Sequence, residues 1–253
     1  MPLKKIILPL ITLFFMLALW ELVTRYSGWS NNVFPDPIAV MNSMIELTLN
    51  GKLLQNTIAS LFRVGIGFSL AVILGIPLGI ILGRVEIAKL LFNPLVQFLR
   101  PISPLAWIPL AMLWFGIGDP PAIFLIFLAS FFPMVVSTSI AVESIKPTFF
   151  QVAANFNFSR MEVLTKIVIP AITPAVITSL RLSIGIAWLV VVAAEMIAVQ
   201  SGLGYLILDS RNAMRMDYVM VAMIVIGVIG LFLDYIMRKL GNIESAAWGK
   251  LAK

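Results

Sequence analysis

Six stretches of this chain are apolar over roughly the 20 residues that a helix needs to cross a bilayer. They are 6–23, about 58–82, about 95–115, 122–142, about 174–198 and 219–237. Of the 253 residues, 60% are hydrophobic and 12% charged, against about 45–50% and about 25% in ordinary soluble domains. Too little polar surface remains to coat a globule, which excludes a disordered chain and most soluble enzymes. The net charge of +6 is too sparse for the basic stripe of a nucleic-acid module, so no nucleic-acid partner is expected. The expected fold class is an all-α integral membrane protein, a single transmembrane domain over 1–253, whose apolar faces meet lipid. Prolines fall in spans two to four. They are tolerated in membrane helices where neighbours re-satisfy the freed carbonyls.

The basic residues orient the chain. With the N-terminus inside, eleven lie in inner segments: Lys4, Lys5, Arg84, Lys89, Lys146, Arg160, Lys166, Arg238, Lys239, Lys250 and Lys253. Four lie in outer segments: Arg25, Lys52, Arg211 and Arg215. The positive-inside rule then places both termini in the cytoplasm of a multi-pass protein of the inner (plasma) membrane. Lys4-Lys5 before an apolar run resembles a signal peptide, but Trp20-Glu21-Leu22-Val23 offers no small-residue cleavage pattern, so the first span is read as retained.

No chemistry of its own is legible. There is no Cys or His, which removes thiolate, zinc-finger and imidazole chemistry. The Gly-Lys pairs Gly51-Lys52 and Gly249-Lys250 lack the spacing and the Ser or Thr of a phosphate-binding loop. No catalytic residue and no metal ligand set stands out.

The longest inner connection, about 143–169, carries the most information. Lys146-Pro147 can open a helix. Phe149, Phe150, Val152, Ala153 and Phe156 then form an apolar face at helical spacing. Asn157 can take a positive φ and end the helix. Ser159 and Glu162 have the spacing of a capping box for a second helix, and Pro170 marks the entry to span five. Such an amphipathic pair serves equally as an interfacial helix on lipid or as a docking knob for a cytoplasmic partner.

Gln151-Val152-Ala153, Asn157 and Ile167-Val168-Ile169-Pro170 resemble the motif of binding-protein-dependent ABC importer permeases: Glu-Ala-Ala, three residues, Gly, nine residues, Ile-x-Leu-Pro. Gln151 stands for Glu, Asn157 for Gly and Ile169 for Leu. The resemblance extends through Ser60–Phe68, Gly75–Gly79, Arg100–Leu110, Leu113–Gly118, Gly185–Trp188, Val192–Met196 and Ser201–Tyr205. It looks like the branch that imports nitrate, taurine or other sulfonates, or bicarbonate. The resemblance implies a six-span type I ABC importer permease fold working as a homodimer. The implied partners are two cytoplasmic ATPase subunits, which bind the ATP and Mg, and an extracytoplasmic solute-binding protein; this chain needs no cofactor. It further implies that Phe149, Phe150, Gln151, Val152, Ala153, Ala154, Asn155, Phe156, Asn157, Phe158, Ser159 and Arg160 form a coupling helix and its exit, within a coupling segment at about 146–169. Because Gln151 lacks the family carboxylate, apolar docking carries that contact. The alternative class is a membrane enzyme or assembly protein with an interfacial helix.

Five ionisable residues lie in or near spans: Arg63, Arg100, Arg181, Glu195 and Asp234. A charge in hydrocarbon costs at least about 2.5–3.5 kcal/mol. Arg63, Arg100 and Asp234 fit span-end snorkels or internal pairs. Arg181 and Glu195, 14 residues apart, are separated by about 21 Å along a helix and cannot pair within it. Arg181, Trp188, Glu195, Arg100 and Trp107 are the pore or substrate-path candidates, with helix anchoring and packing as their structural alternatives. Gly75, Gly79 and Gly83 make a small-residue stripe suited to close helix contact, more simply within the chain than across a dimer. Ser201, Gly202, Leu203, Gly204 and Tyr205 lead into a short apolar helix expected, by the resemblance, to cover the outer mouth of the pore.

Overall fold

The computed structural model describes residues 2–251 apart from 27, 29, 31 and 32, with the side chains of 2–6, 9–10, 240 and 242–251 outside the description. The helices are α1 (Pro2–Tyr26), α2 (Pro37–Leu49), α3 (Lys52–Arg84), α4 (Glu86–Leu99), α5 (Ile108–Phe115, after a 3₁₀ turn at Pro104–Trp107), α6 (Asp119–Glu143), α7 (Pro147–Asn155), α8 (Arg160–Val163), α9 (Ile169–Ala198), α10 (Leu203–Asn212) and α11 (Met216–Leu251). Among the described residues four runs are long and apolar enough to cross a membrane: α3, α6, Arg160–Ala198 and Met216–Lys239. The first expected span, 6–23, falls within the 25-residue α1, and part of it lies outside the described side chains.

The third expected span, about 95–115, is not one straight helix. It is bent by 89° between α4 and the Pro104–Phe115 pair. Pro104 supplies the reason. The residue before a proline is driven to extended backbone, and Ser103 sits at φ −55°, ψ 130°. Pro77, Pro94 and Pro133 instead lie inside continuous helices. The fifth expected span begins earlier than 174. A π turn at Leu164–Val168 joins α8 to α9, and the Ile169 N–H donates to the Leu164 carbonyl. Pro170 and Pro174 lack the donors an α register needs there.

The centre of the bundle is α6, packed between α3 and α9. The α3–α6 approach is close because α3 presents glycines. A Cβ added at Gly79 would lie 2.6 Å from Thr138 Cβ, and one at Gly83 2.6 Å from Val142 Cβ. The Gly75/Gly79/Gly83 stripe is therefore spent within the chain. Val64, Ile126, Ile184, Ala187, Trp188 and Val191 join these helices into one core. Helix α11 packs against α9, α10 and α2. Large apolar side chains on α1, α4 and α11 stay exposed, among them Phe14, Phe15, Leu90, Leu91, Leu231 and Phe232, as a lipid-facing surface requires.

Candidate functional site

Helix α9, 30 residues and about 45 Å long, separates two features. One is the α7 segment before it; the other is a polar knot at its far end, where α10 follows.

The α7 segment is built by local chemistry. Pro147 occupies its first turn. Asn157 leaves it in the left-handed region, φ 53°, which Asn tolerates better than most side chains. The Phe158 N–H then donates to the Ala153 carbonyl at 2.9 Å, closing a Schellman-like turn. Ser159 Oγ accepts from the Glu162 N–H while the Glu162 carboxylate accepts from the Ser159 N–H, a complete capping box.

Helix α7 has two faces. Phe150 and Ala153 turn inward. Ala153 is 2% exposed, and Phe150 packs on Ala141, Val142, Val168 and Ile172. The Arg84 guanidinium lies 4.0 Å from the centre of the Phe150 ring, tying α3 to α7. Phe149, Val152 and Phe156 turn outward, 55%, 48% and 71% exposed. Gln151, Ala154, Asn155 and Arg160 are exposed beside them. Phe158 is half-buried, 6.4 Å from Phe156 and under the Lys166 ammonium.

At the other end four segments meet around two buried opposite charges. Arg63 on α3 is 2% exposed and Glu195 on α9 is 0% exposed. Arg63 Nη1 donates to Glu195 Oε1 at 2.6 Å and to the Ser201 carbonyl at 2.8 Å; Nη2 donates to Ser201 Oγ at 2.5 Å. Its Nε donates to Asp119 Oδ1 at the start of α6, 2.8 Å. Glu195 Oε2 accepts from Ser60 Oγ at 2.8 Å and from the Gly204 N–H at 3.0 Å. Ser60 Oγ accepts from the Leu203 N–H, and Asn56 Oδ1 from the Gly202 N–H. The N-terminal N–H groups of α10, orphaned by helix geometry, are thus capped by α3 and α9. Gly202 takes φ 106° and lies against the Glu195 carboxylate, where a side chain would not fit.

The remaining candidates are dispersed. Arg181 pairs with Asp234 on α11 at 2.6 Å, and Arg238 shares that carboxylate. Trp188 is buried between α9 and α11, its Nε1 donating to the Ile226 carbonyl at 3.0 Å. Trp107 packs on the Ile108–Ala111–Leu125 core, 6.4 Å from Trp114. Tyr205 is half-buried on α10. Arg100 lies at the α4–α5 bend, exposed, with no ion-pair or side-chain hydrogen-bond partner among the described residues. Outside the crossing helices, the Tyr218 hydroxyl, with Arg215 behind it, holds the Glu46 carboxyl below its ordinary range.

Asn56, Ser60 and Asp119 were not recognisable as site residues in the sequence. The available signal was a pair of opposite charges, Arg63 and Glu195, each in a crossing helix and separated by 132 positions.

Long apolar helices around a broken one, with a two-faced amphipathic helix at one end, define a multi-pass membrane transport subunit. The chain belongs to the family of binding-protein-dependent transport system inner membrane components, whose model matches residues 75–242. It is an ABC-transporter permease subunit for a small solute, not an enzyme. A Methanocaldococcus jannaschii protein named as an ABC transporter permease is 39% identical over 99% of this chain and 95% of its own length. The nitrate import permease protein of Synechocystis is 34% identical over 91% and 86%. Proteins named for aliphatic sulfonate, taurine and bicarbonate transport, from Bacillus subtilis, Escherichia coli and Synechococcus elongatus, match at 33%, 31% and 35%. They cover 94%, 94% and 92% of this chain and 84%, 88% and 87% of their own. A chain of an inward-facing MetNI methionine ABC transporter superposes with a TM-score of 0.63 at 18% identity, covering 79% of this chain and 97% of that one. It shares the fold.

Proposed function

We propose that this chain forms the translocation path of an ATP-driven importer for a small oxyanion: nitrate, taurine or another sulfonate, or bicarbonate. The relatives named for these anions support that substrate class. In this reading the chain crosses the membrane six times: α1, α3, the bent α4–α5 pair, α6, α9 and α11. Both termini lie in the cytoplasm. It works as a homodimer with two cytoplasmic ATPase subunits and an extracytoplasmic binding protein.

The observation that carries this reading is the two-faced α7. Phe150 and Ala153 fasten it to α3, α6 and α9, while Phe149, Val152 and Phe156 present exposed apolar surface. An apolar face of this kind at the end of the crossing helices suits a cleft on an ATPase. ATP-driven closure of the ATPase pair moves α7, and the anchored face passes the movement to α6 and α9. The path then opens outward to the loaded binding protein, and hydrolysis resets it inward. The equilibrium shifts only because the ATPase pair binds the two states with different affinity. At the other end, Ser201–Tyr205 act as the outer gate, held by Arg63 and Glu195.

Phe156→Asp tests the coupling. The substitution puts a charge into an apolar contact, so the ATPase no longer co-purifies, or its activity no longer responds to loaded binding protein. Normal co-purification with normal stimulated activity refutes the role of α7.

A further inference from the structure

A cavity of about 520 Å³ lies between α6 and α9 and reaches the α4–α5 bend. Its polar lining is Arg100, Ser137, Ser144, Thr178, Ser179 and Ser183, with no carboxylate among its lining residues. Thr178 and Ser144 return their hydroxyls to backbone carbonyls of their own turns. Ser183 does not: the residue borders the cavity, and its Oγ is buried with no hydrogen-bond partner among the described residues. Ser179, one turn before it, is 6% exposed. Arg100 is a second uncompensated group at the same place. It follows the 14 residues of α4, about 21 Å from Glu86 at helical rise. It sits at the break of the bent α4–α5 pair.

A lone guanidinium and a row of hydroxyls facing lipid would be costly, and intramembrane charges normally face a watery cavity. The donors match one chemistry. A guanidinium presents a planar fork of N–H groups suited to carboxylate-like or sulfonate-like oxygens, and each hydroxyl adds one donor. A single positive charge with neutral donors also leaves the anion free to depart, which a conducting site requires.

We propose that this cavity is the transit site for the oxyanion, with Arg100 supplying the charge and Ser179 and Ser183 the hydroxyl donors. The inference rests on the importer reading above and assigns its substrate contacts.

The test uses the complete transporter in proteoliposomes with its binding protein, assaying ATP-driven uptake of nitrate, taurine and bicarbonate. Wild-type uptake of one of these anions establishes the importer reading by itself. In Arg100→Gln, uptake of that anion is expected to fall by at least about tenfold, through loss of the charge-assisted bonds. ATPase activity stimulated by loaded binding protein stays within about twofold of wild type, because the coupling face is untouched. Arg100→Lys regains most of the loss, since the charge remains without the fork. Ser179→Ala with Ser183→Ala lowers uptake by about threefold to tenfold, as expected for lost neutral hydrogen bonds, and keeps the assessment independent of how Arg100 variants assemble. Unchanged uptake in Arg100→Gln and in the double serine variant overturns the site while leaving the importer reading intact. Loss of stimulated ATPase activity in parallel with uptake also overturns it, because Arg100 is then part of the coupling. Unchanged uptake with less anionic phospholipid bound per complex, measured by mass spectrometry, assigns the cavity to a lipid headgroup. A wild type that imports none of these three, and only solutes without an oxyanion group, overturns both readings.

Discussion

The two ends of α9 solve opposite problems. At the α10 end every strong polar group is answered. Arg63 and Glu195 are buried together, and Ser60, Asp119, Ser201 and the Gly204 N–H complete their bonding. At the α7 end the backbone is finished by Pro147, Asn157 and the Ser159–Glu162 capping box, yet one apolar face is left exposed. The first arrangement is complete within one chain; the second, in the importer reading proposed above, is completed by the ATPase. Substitutions at the α10 end should therefore cost stability first, and substitutions on the outer face of α7 should cost coupling first.

The sharpest way to break that contrast is Arg63→Met. It leaves Glu195 buried without its counter-charge, and losing one partner of a buried pair costs about 3–5 kcal/mol. The thermal midpoint of the purified permease should fall steeply. Adding Glu195→Met should recover much of the loss, because both buried charges are then gone. A single variant as stable as wild type would mean the knot is not structural.

Gly79→Val comes next. Its Cβ would collide with Thr138 on α6, and overpacking of this kind costs about 1–3 kcal/mol. Thermal denaturation reads the loss directly. Asn157→Val follows, at about 1–2 kcal/mol for a β-branched residue in the left-handed region. Asn157→Gly should be neutral in both stability and ATPase binding.

Phe156→Asp should change the thermal midpoint little, within about 0.5 kcal/mol as for other exposed positions, while abolishing coupling. A large stability loss would place Phe156 in the core and erase the contrast. The smallest effect belongs to Glu46. Its pKa is lowered from an ordinary value of 4.5, so its contribution is present above that value and fades as the pH falls through the lowered one. The difference in midpoint between wild type and Glu46→Gln should be constant from neutral pH down to about 5, where the carboxyl stays ionised in both states, and shrink in more acidic buffer.

How legible each region was follows from the range of its interactions. The α7 segment was readable because its determinants are local: Pro147 starts it, Asn157 turns it, and Ser159 and Glu162 reset the next helix. The 89° bend was not legible. The prolines of the third span read as tolerated within it, and the direction of the chain after the break depends on how Trp107, Ile108 and Ala111 pack against α6 and α9. The polar knot was not legible as a site. Arg63 read as a span-end snorkel or an internal pair, and Glu195 as a pore candidate. Nothing within either helix indicated that α3 and α9 bring them to 2.6 Å.

By itself, then, the sequence determined that this is a membrane chain and where a two-faced helix forms, because hydrophobic runs and capping act within a few residues of one another. Only the tertiary structure decided which intramembrane charges are consumed and which are left. Arg63 met Glu195 and Arg181 met Asp234, while Arg100 was left beside a cavity of hydroxyls. Such partners lie on different helices, and pairing between helices is set by packing.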